Sequence, residues 1–273
     1  MYCADYHLHT LISSDSPASL EQQAQSALKT GLNELCVTDH WNLLDQQGTP
    51  LPHTRDWSDS IAQCHDARHL FGSQLEIRLG IEVGNGEIDP DAVSLGLKQA
   101  GGELDFVIGS LHNRSLRSGG IGIYSAAKQC QHIEEGIALL DDYIDTLHAL
   151  AATDTFDVIG HVIYPLRYLP QQWQLTLDPY EEQLRALFQT LIQSGRGIEL
   201  NTTQGHTIEE WTPVLQLYHS CGGEIITLGS DAHHVGQTGA GFADAYALLQ
   251  SLGFRWHCTY RNRKPVFHAL DIL

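Results

Sequence analysis

Seven short apolar segments rich in β-branched residues recur along this chain, with helical patterns between them. They are YCADYHLH, NELCVTDH, EIRLGIEVG, LDFVIGSLH, FDVIGHV, RGIELNT and EIITLGSDAHH. The runs FVIG, DVIG and IITLG lack polar alternation, as strands buried on both faces of a parallel sheet do. Parallel neighbours need a crossover, so strands alternating with helices predict a parallel sheet with the helices outside. Seven such units predict a closed or nearly closed barrel. The 273 residues suit one domain of this kind, because α/β barrels typically take about 250. A doubly wound open sheet is the alternative, but no glycine-rich dinucleotide fingerprint follows the first segment to support it.

The intervening stretches carry helix signals. SPASLEQQAQSALKTG has a Ser start, good helix formers and a stop at Gly31. DPDAVSLGLKQAG opens on Asp and Pro. YSAAKQCQHIEEGIALLDDYIDTLHALAAT predicts a long helix with a break near Gly136, and DPYEEQLRALFQTLIQSG has an apolar stripe of helical period. IEEWTPVLQLYHSCGG and GFADAYALLQSLGF complete the set. There is no low-complexity linker, so we expect one domain spanning residues 1–273.

Histidine is the unusual count. There are 16, against 15 Lys and Arg together. In parallel α/β barrels the active site gathers at the C-terminal strand ends. His7 and His9 close the first segment, on one face of a strand, with Tyr6 and Leu8 expected to face the surrounding helices. Asp15 lies in the loop that follows, and His40 ends the second segment. Glu82 sits late in the third, His112 ends the fourth, His161 lies in the fifth, and Asp231 and His233 end the seventh. A lone histidine at a strand end is usually a hydrogen-bonded loop residue. Six histidines and three carboxylates in equivalent places are different, because burying so many polar groups without partners costs several kcal/mol. Divalent metals would satisfy them all. His65, His69, His132, His148 and His219 fall on expected helices or loops and read as surface or packing residues. His234 adjoins His233, but strand alternation turns it away.

The formal net charge is −18, which argues against nonspecific nucleic-acid binding through a basic surface. An anionic substrate would need a local positive centre, which bound cations provide. None of the six cysteines forms a CxxC pair; buried thiols in a reducing compartment are expected. No apolar run reaches the roughly 18 residues of a membrane span, and no signal peptide is evident. The expectation is a soluble, cytoplasmic protein of undetermined oligomeric state.

The motifs HLHTLISSD, VTDH, GIEVG, GSLH, IGHV and LGSDAHH together resemble those of the PHP family, named for polymerase and histidinol phosphatase. GAGFADAYALLQSLGF followed by TYRNRKPVFHAL also resembles the C-terminal end of its stand-alone histidinol-phosphate phosphatases. The resemblance implies a distorted (β/α)7 TIM-like barrel holding three divalent transition metals. One metal would take His7, His9, Glu82 and Asp231. A second would share Glu82 and take His112 and His161, and the third would take Asp15, His40 and His233. Such a shell suits Zn, Mn or Fe and does not choose among them.

The implied reaction is hydrolysis of a phosphate monoester, L-histidinol phosphate, with Glu82, Asp231 and His233 in catalytic positions. Metals of a two-metal site, about 3.5–4 Å apart, activate water and neutralise phosphoryl charge. Arg114 and Arg167 follow ligand-bearing strands and are the candidate phosphate binders, since guanidinium pairs well with phosphate; Arg117 is a weaker one. His206 is a candidate at the substrate and a possible proton donor if its loop folds over the site. One departure stands out. Histidinol-phosphate phosphatases usually carry an arginine soon after the Asn-Thr of the sixth strand, whereas this chain has NTTQGHTIEE, with His206 near that position. Residues 113–124 are polar and glycine-rich where the family is apolar, which raises the question of a lid. The rival readings are another PHP phosphoesterase acting on a nucleotide or other small ester, an amidohydrolase-type barrel, and a non-catalytic metal-binding protein. The second of these often needs a bridging lysine on a middle strand, and Lys29, Lys98, Lys128 and Lys264 all avoid strand ends.

Overall fold

The computed structural model describes residues 2–270. Its ten strands are β1 (Ala4–Asp5), β2 (Glu34–Val37), β3 (His40–Asn42), β4 (Glu76–Gly84), β5 (Leu104–Ser110), β6 (Val158–Ile159), β7 (Gly197–Asn201), β8 (Ile226–Gly229), β9 (Trp256–Arg261) and β10 (Lys264–Ala269). The helices are α1 (Leu20–Thr30), α2 (Ser58–Phe71), α3 (Pro90–Gln99), α4 (Ile123–Gln129), α5 (Ile133–Ala151), α6 (Glu181–Gln193), α7 (Thr212–Ser220) and α8 (Phe242–Ser251).

All seven expected segments become parallel strands, in the spatial order β1-β2-β4-β5-β6-β7-β8. β3 continues the line of β2 and pairs with the outer half of β4, setting His40 beside Glu82. The ring closes through a short seam between β8 and β1. Tyr6 N donates to Leu228 O at 2.8 Å, Asp231 N to His7 O at 2.8 Å, and His9 N to Ala232 O at 2.9 Å. The strands are short, and the barrel is distorted as expected.

Local chemistry explains the helices. Ser19 caps α1 in a reciprocal capping box with Gln22, and Gly31 ends it in the left-handed region at φ 78°. Asp89 caps α3 by accepting from Ala92 N, with Pro90 at its first turn. The expected break at Gly136 falls instead at residues 130–132, between α4 and α5. Gly136 lies inside α5 because the helix packs closely there: a Cβ would come within 2.9 Å of Leu175 and 3.1 Å of Trp173. Helix α2 was not anticipated. Its buried residues are Ser60, Cys64 and Ala67, correctly spaced but too small to give an apolar stripe.

The β9–β10 hairpin was not anticipated either, and it closes the N-terminal end of the barrel. Tyr260 N donates to the Tyr6 hydroxyl at 2.8 Å, Asn262 N to Asp105 Oδ1 at 2.9 Å, and Arg263 Nε to Asp157 Oδ2 at 2.5 Å. Cys258 and Tyr260 form an inner cluster with Tyr6, Cys36, Phe106, Ile108 and Val158. Tyr6 therefore does not face the helices, which corrects the sequence expectation. Regular strand geometry ends at Asp5, and Tyr6 turns inward to donate to the buried Glu34 carboxylate at 2.5 Å. Leu8 does pack outward, in the core that includes Leu20 and Ala24 of α1. No helix among the described residues is long and apolar enough to cross a membrane. Cys36, Cys64 and Cys258 are buried as expected, Cys3, Cys130 and Cys221 are only partly buried because they lie outside the core strands, and no disulfide joins any of the six.

Candidate metal centre

The C-terminal strand ends bring the nine predicted ligands to one place. Glu82, fully buried on β4, is at the centre. Its Oε1 lies 2.9 Å from His161 Nε2 and 3.0 Å from His112 Nε2. Its Oε2 lies 2.7 Å from His40 Nδ1, 3.4 Å from His7 Nε2 and 3.8 Å from His9 Nε2. Asp231 Oδ1 closes the inner group, 3.6 Å from His7 Nε2 and 3.4 Å from His9 Nε2. Towards solvent, Asp15 Oδ2 lies 3.3 Å from His40 Nε2 and 3.4 Å from His233 Nε2. His40 thus stands between the Glu82 group and the Asp15 group.

These donors fit divalent cations. His7 Nε2, His9 Nε2 and Glu82 Oε2 are buried, converge on one another and have no hydrogen-bond partner. Buried polar atoms are almost always paired. A metal ion accepts all three, and mixed imidazole and carboxylate donors are its usual ligands. The same logic extends to two neighbouring donor groups, His40 with Glu82 and His112, and His9 with His40 and His233.

Electrostatics within the cluster are tightly balanced. Burial pushes the Glu82 carboxyl up, but the imidazoles of His112, His7 and His40 outweigh it and hold the group well below the usual range. Asp231 is held down likewise, by His7, His9 and Arg167 against burial. Burial, then His40, pushes His9 down to about 3. Two of the candidate ligands also carry backbone strain: His161 has φ 26° and Asp231 φ 59°. Such conformations cost about 1–3 kcal/mol and persist only where the surroundings enforce them.

A layer of partners orients the imidazoles. His7 Nδ1 lies 2.7 Å from Glu199 Oε1, His112 Nδ1 2.9 Å from Asn42 Oδ1, and His233 Nδ1 3.0 Å from the Asp231 carbonyl. His9 Nδ1 lies 3.3 Å from Ser13 Oγ, which donates to Asp39 at 2.7 Å. Each partner leaves Nε2 free for a metal. Ser110 donates to Glu82 Oε1 at 2.7 Å. Sequence reading missed this layer, because Glu199, Asn42 and Asp39 look like ordinary strand-end polar residues until the histidines are placed.

Over the cluster opens a pocket of about 190 Å³, whose rim adds Asn42, Gln46, Tyr164 and Tyr168 to the ligands. Tyr164 packs its ring 4.6 Å from that of His161. Arg167 reaches this centre. Its NH1 is 3.3 Å from Asp231 Oδ2, its NH2 donates to Asn201 Oδ1 at 2.8 Å, and its buried Nε has no partner. Arg114 lies elsewhere, facing Asp142 at 3.5 Å beside a separate cavity with Ile121 and Cys130. Arg117, His206 and His234 are exposed. Gln204, two residues before His206, turns inward and donates to the Asp231 carbonyl at 2.8 Å. Residues 113–124 are bolted to their surroundings. Ser115 and Ser118 both donate to Asp142, Asn113 donates to Asp45 O and Gly120 O, and Gly122 N donates to Gln46 O. The four lysines are all exposed, which leaves an amidohydrolase reading without its bridging group.

The model of the PHP domain matches residues 5–203, which span every candidate ligand except Asp231 and His233. The chain belongs to the PHP domain family. A "Probable histidinol-phosphatase" of Deinococcus radiodurans is 30% identical over 276 residues, covering 95% of this chain and 97% of that protein. The histidinol-phosphatase of Lactococcus lactis is 24% identical over 265 residues, covering 95% of each. The crystal structure of histidinol phosphate phosphatase from Lactococcus lactis, complexed with zinc, L-histidinol and phosphate, superposes with a TM-score of 0.80. That alignment has 24% identity and covers 97% of this chain and 98% of the other. The PHP barrel of this chain therefore has the fold of a solved histidinol phosphate phosphatase.

Proposed function

We propose that this PHP domain hydrolyses the phosphate monoester L-histidinol phosphate to L-histidinol and phosphate. The observation that carries the reading is the convergence of five imidazoles on Glu82, with Asp231, Asp15 and His233 beside them and the Arg167 guanidinium against Asp231. Full-length similarity to histidinol-phosphatases supports the substrate. Histidinol phosphate is an intermediate of histidine biosynthesis, and the proposed compartment is the cytoplasm.

Three divalent transition metals are proposed. One would be held by His7, His9, Glu82 and Asp231, a second by Glu82, His112 and His161, and a third by Asp15, His40 and His233. The solved Lactococcus relative holds zinc, and Mn and Fe fit the same donors. Bound there, the ions would supply Lewis-acid stabilisation of phosphoryl charge and an activated water. The residues do the rest. Glu82 uses both carboxylate oxygens and so spaces the two inner groups of histidines. Arg167, held by Asn201 and by the pocket-lining Asp231, keeps a buried Nε–H without a partner and is the proposed phosphate clamp. Arg114 positions the 113–124 segment through Asp142 rather than touching substrate. Tyr164 and Tyr168 form the wall against which the leaving alcohol sits.

The test is a phosphatase screen of the Zn-, Mn- and Fe-loaded protein against L-histidinol phosphate, sugar and nucleotide monophosphates, and a phosphodiester. Histidinol phosphate should be turned over with the highest kcat/KM. Turnover of another monoester alone would keep the chemistry and reject the substrate. No turnover of any phosphoester would overturn the enzyme reading.

A further inference from the structure

Glu199 lies beneath the metal ligands, buried on β7, and its two oxygens serve two different ligands. Oε1 lies 2.7 Å from His7 Nδ1, and Oε2 accepts from the His161 backbone N–H at 2.8 Å. Asn201 Nδ2 adds a third bond to Oε1 at 3.2 Å and also reaches Asp231 Oδ2 at 3.3 Å. The barrel is shaped to admit this carboxylate. A Cβ at Gly229 would lie 2.1 Å from Glu199 Oε1 and 2.4 Å from the His7 Cβ. Only glycine leaves that space.

Resting on the metal-dependent reading above, we infer that Glu199 is the positioning residue that couples the two inner metal sites, holding His7 in its metal-binding tautomer and His161 in its strained backbone conformation. A proton on His7 Nδ1, donated to Glu199, leaves the Nε2 lone pair facing Glu82 and Asp231. The bond to the His161 N–H holds a non-glycine residue at φ 26°. Both jobs need an acceptor, and a carboxylate provides two.

An amide cannot do both. With its oxygen on the His161 N–H, its NH2 group faces His7 Nδ1, which must then accept. The imidazole proton moves to Nε2 and blocks the metal-binding atom. With the amide reversed, NH2 meets the His161 N–H, donor against donor. Glu199→Gln is almost isosteric, so packing is conserved while this symmetry is lost. A carboxylate with only a packing role would tolerate the change.

The experiment is metal titration of stripped wild-type and Glu199→Gln protein with Zn and Mn against a competing chelator, with circular dichroism as a folding control. Glu199→Gln should bind its tightest metal about 10–100-fold more weakly, the usual cost of losing such a partner. In zinc-loaded wild type, nitrogen-15 NMR of the histidine side chains should place the His7 proton on Nδ1. Wild-type affinity in the variant, or a His7 that ligates through Nδ1, overturns the inference. The NMR measurement decides it even if the variant does not fold. Wild-type protein that binds no metal would instead overturn the metal-dependent reading and this inference with it.

Discussion

His161 Nε2 lies 2.9 Å from Glu82 Oε1, and both side chains are shut off from solvent. This pairing joins the fifth strand segment of the sequence to the third, at the centre of the ligand cluster. Glu82→Gln keeps the size and removes one oxygen donor. Metal stabilisation of a phosphoryl transition state is worth several kcal/mol, so kcat/KM should fall by ~10^3-fold or more. Steady-state assays beside metal analysis check this, and unchanged turnover would remove Glu82 from its bridging place.

Arg167 and Arg114 should separate cleanly. A charged hydrogen bond is worth about 1.5–3 kcal/mol, so Arg167→Gln should raise KM for substrate and Ki for inorganic phosphate by ~10–100-fold. Arg114→Gln, facing Asp142 instead, should leave both within about threefold. A larger effect on phosphate affinity at Arg114 would reverse the assignment.

Chelation should destabilise the protein. Ligands that bind only the folded state at a hundredfold excess over Kd add about 2.7 kcal/mol each. Removing even one such ion should lower Tm by about 5–10 °C, and removing all three by more. Differential scanning calorimetry with EDTA, then with Zn or Mn restored, measures this. A Tm indifferent to both would argue against occupied metal sites.

Glu87 introduces a pH dependence outside the candidate metal centre. Burial, opposed by the hydrogen bond from Asn85, pushes its carboxyl up from 4.5 to about 7. The folded state therefore keeps a proton that the unfolded chain has already lost. Its stability contribution is full below about pH 4.5 and is lost as pH rises through about 7. Glu87→Gln should remove that decline, making the variant relatively more stable than wild type at pH 8 than at pH 4.5 by ~1–3 kcal/mol. Denaturant unfolding at both pH values reads the difference, and an equal difference at both would refute the shift.

The barrel and the convergence of its candidate ligands were legible for one reason. Every strand segment ends in the same geometric place, so position in a segment translates into position in the fold. His40, Glu82, His112, His161 and Asp231 needed no contact information to be grouped. The hairpin was hidden because its turn is Asn262-Arg263, with φ 48° and 63°, rather than the Asn-Gly that usually marks a tight two-residue turn. Helix α2 was hidden because it buries Ser60, Cys64 and Ala67, whose spacing is helical but whose surface is small.

The sequence by itself determined the parallel barrel and the nine candidate ligands, because strand periodicity and strand-end polarity are local properties, while the kind of chemistry followed from the resemblance of its motifs to those of the PHP family. Tertiary structure alone decided which partner each group meets. Tyr6 left the outward face because the hairpin placed Tyr260 and Glu34 gave its hydroxyl an acceptor. Arg167 reached Asp231 while Arg114 was claimed by Asp142 on α5. Glu199 found His7, 192 positions away in the chain. Such choices depend on which buried donor lies within hydrogen-bond distance of which acceptor, and closing the barrel sets those distances.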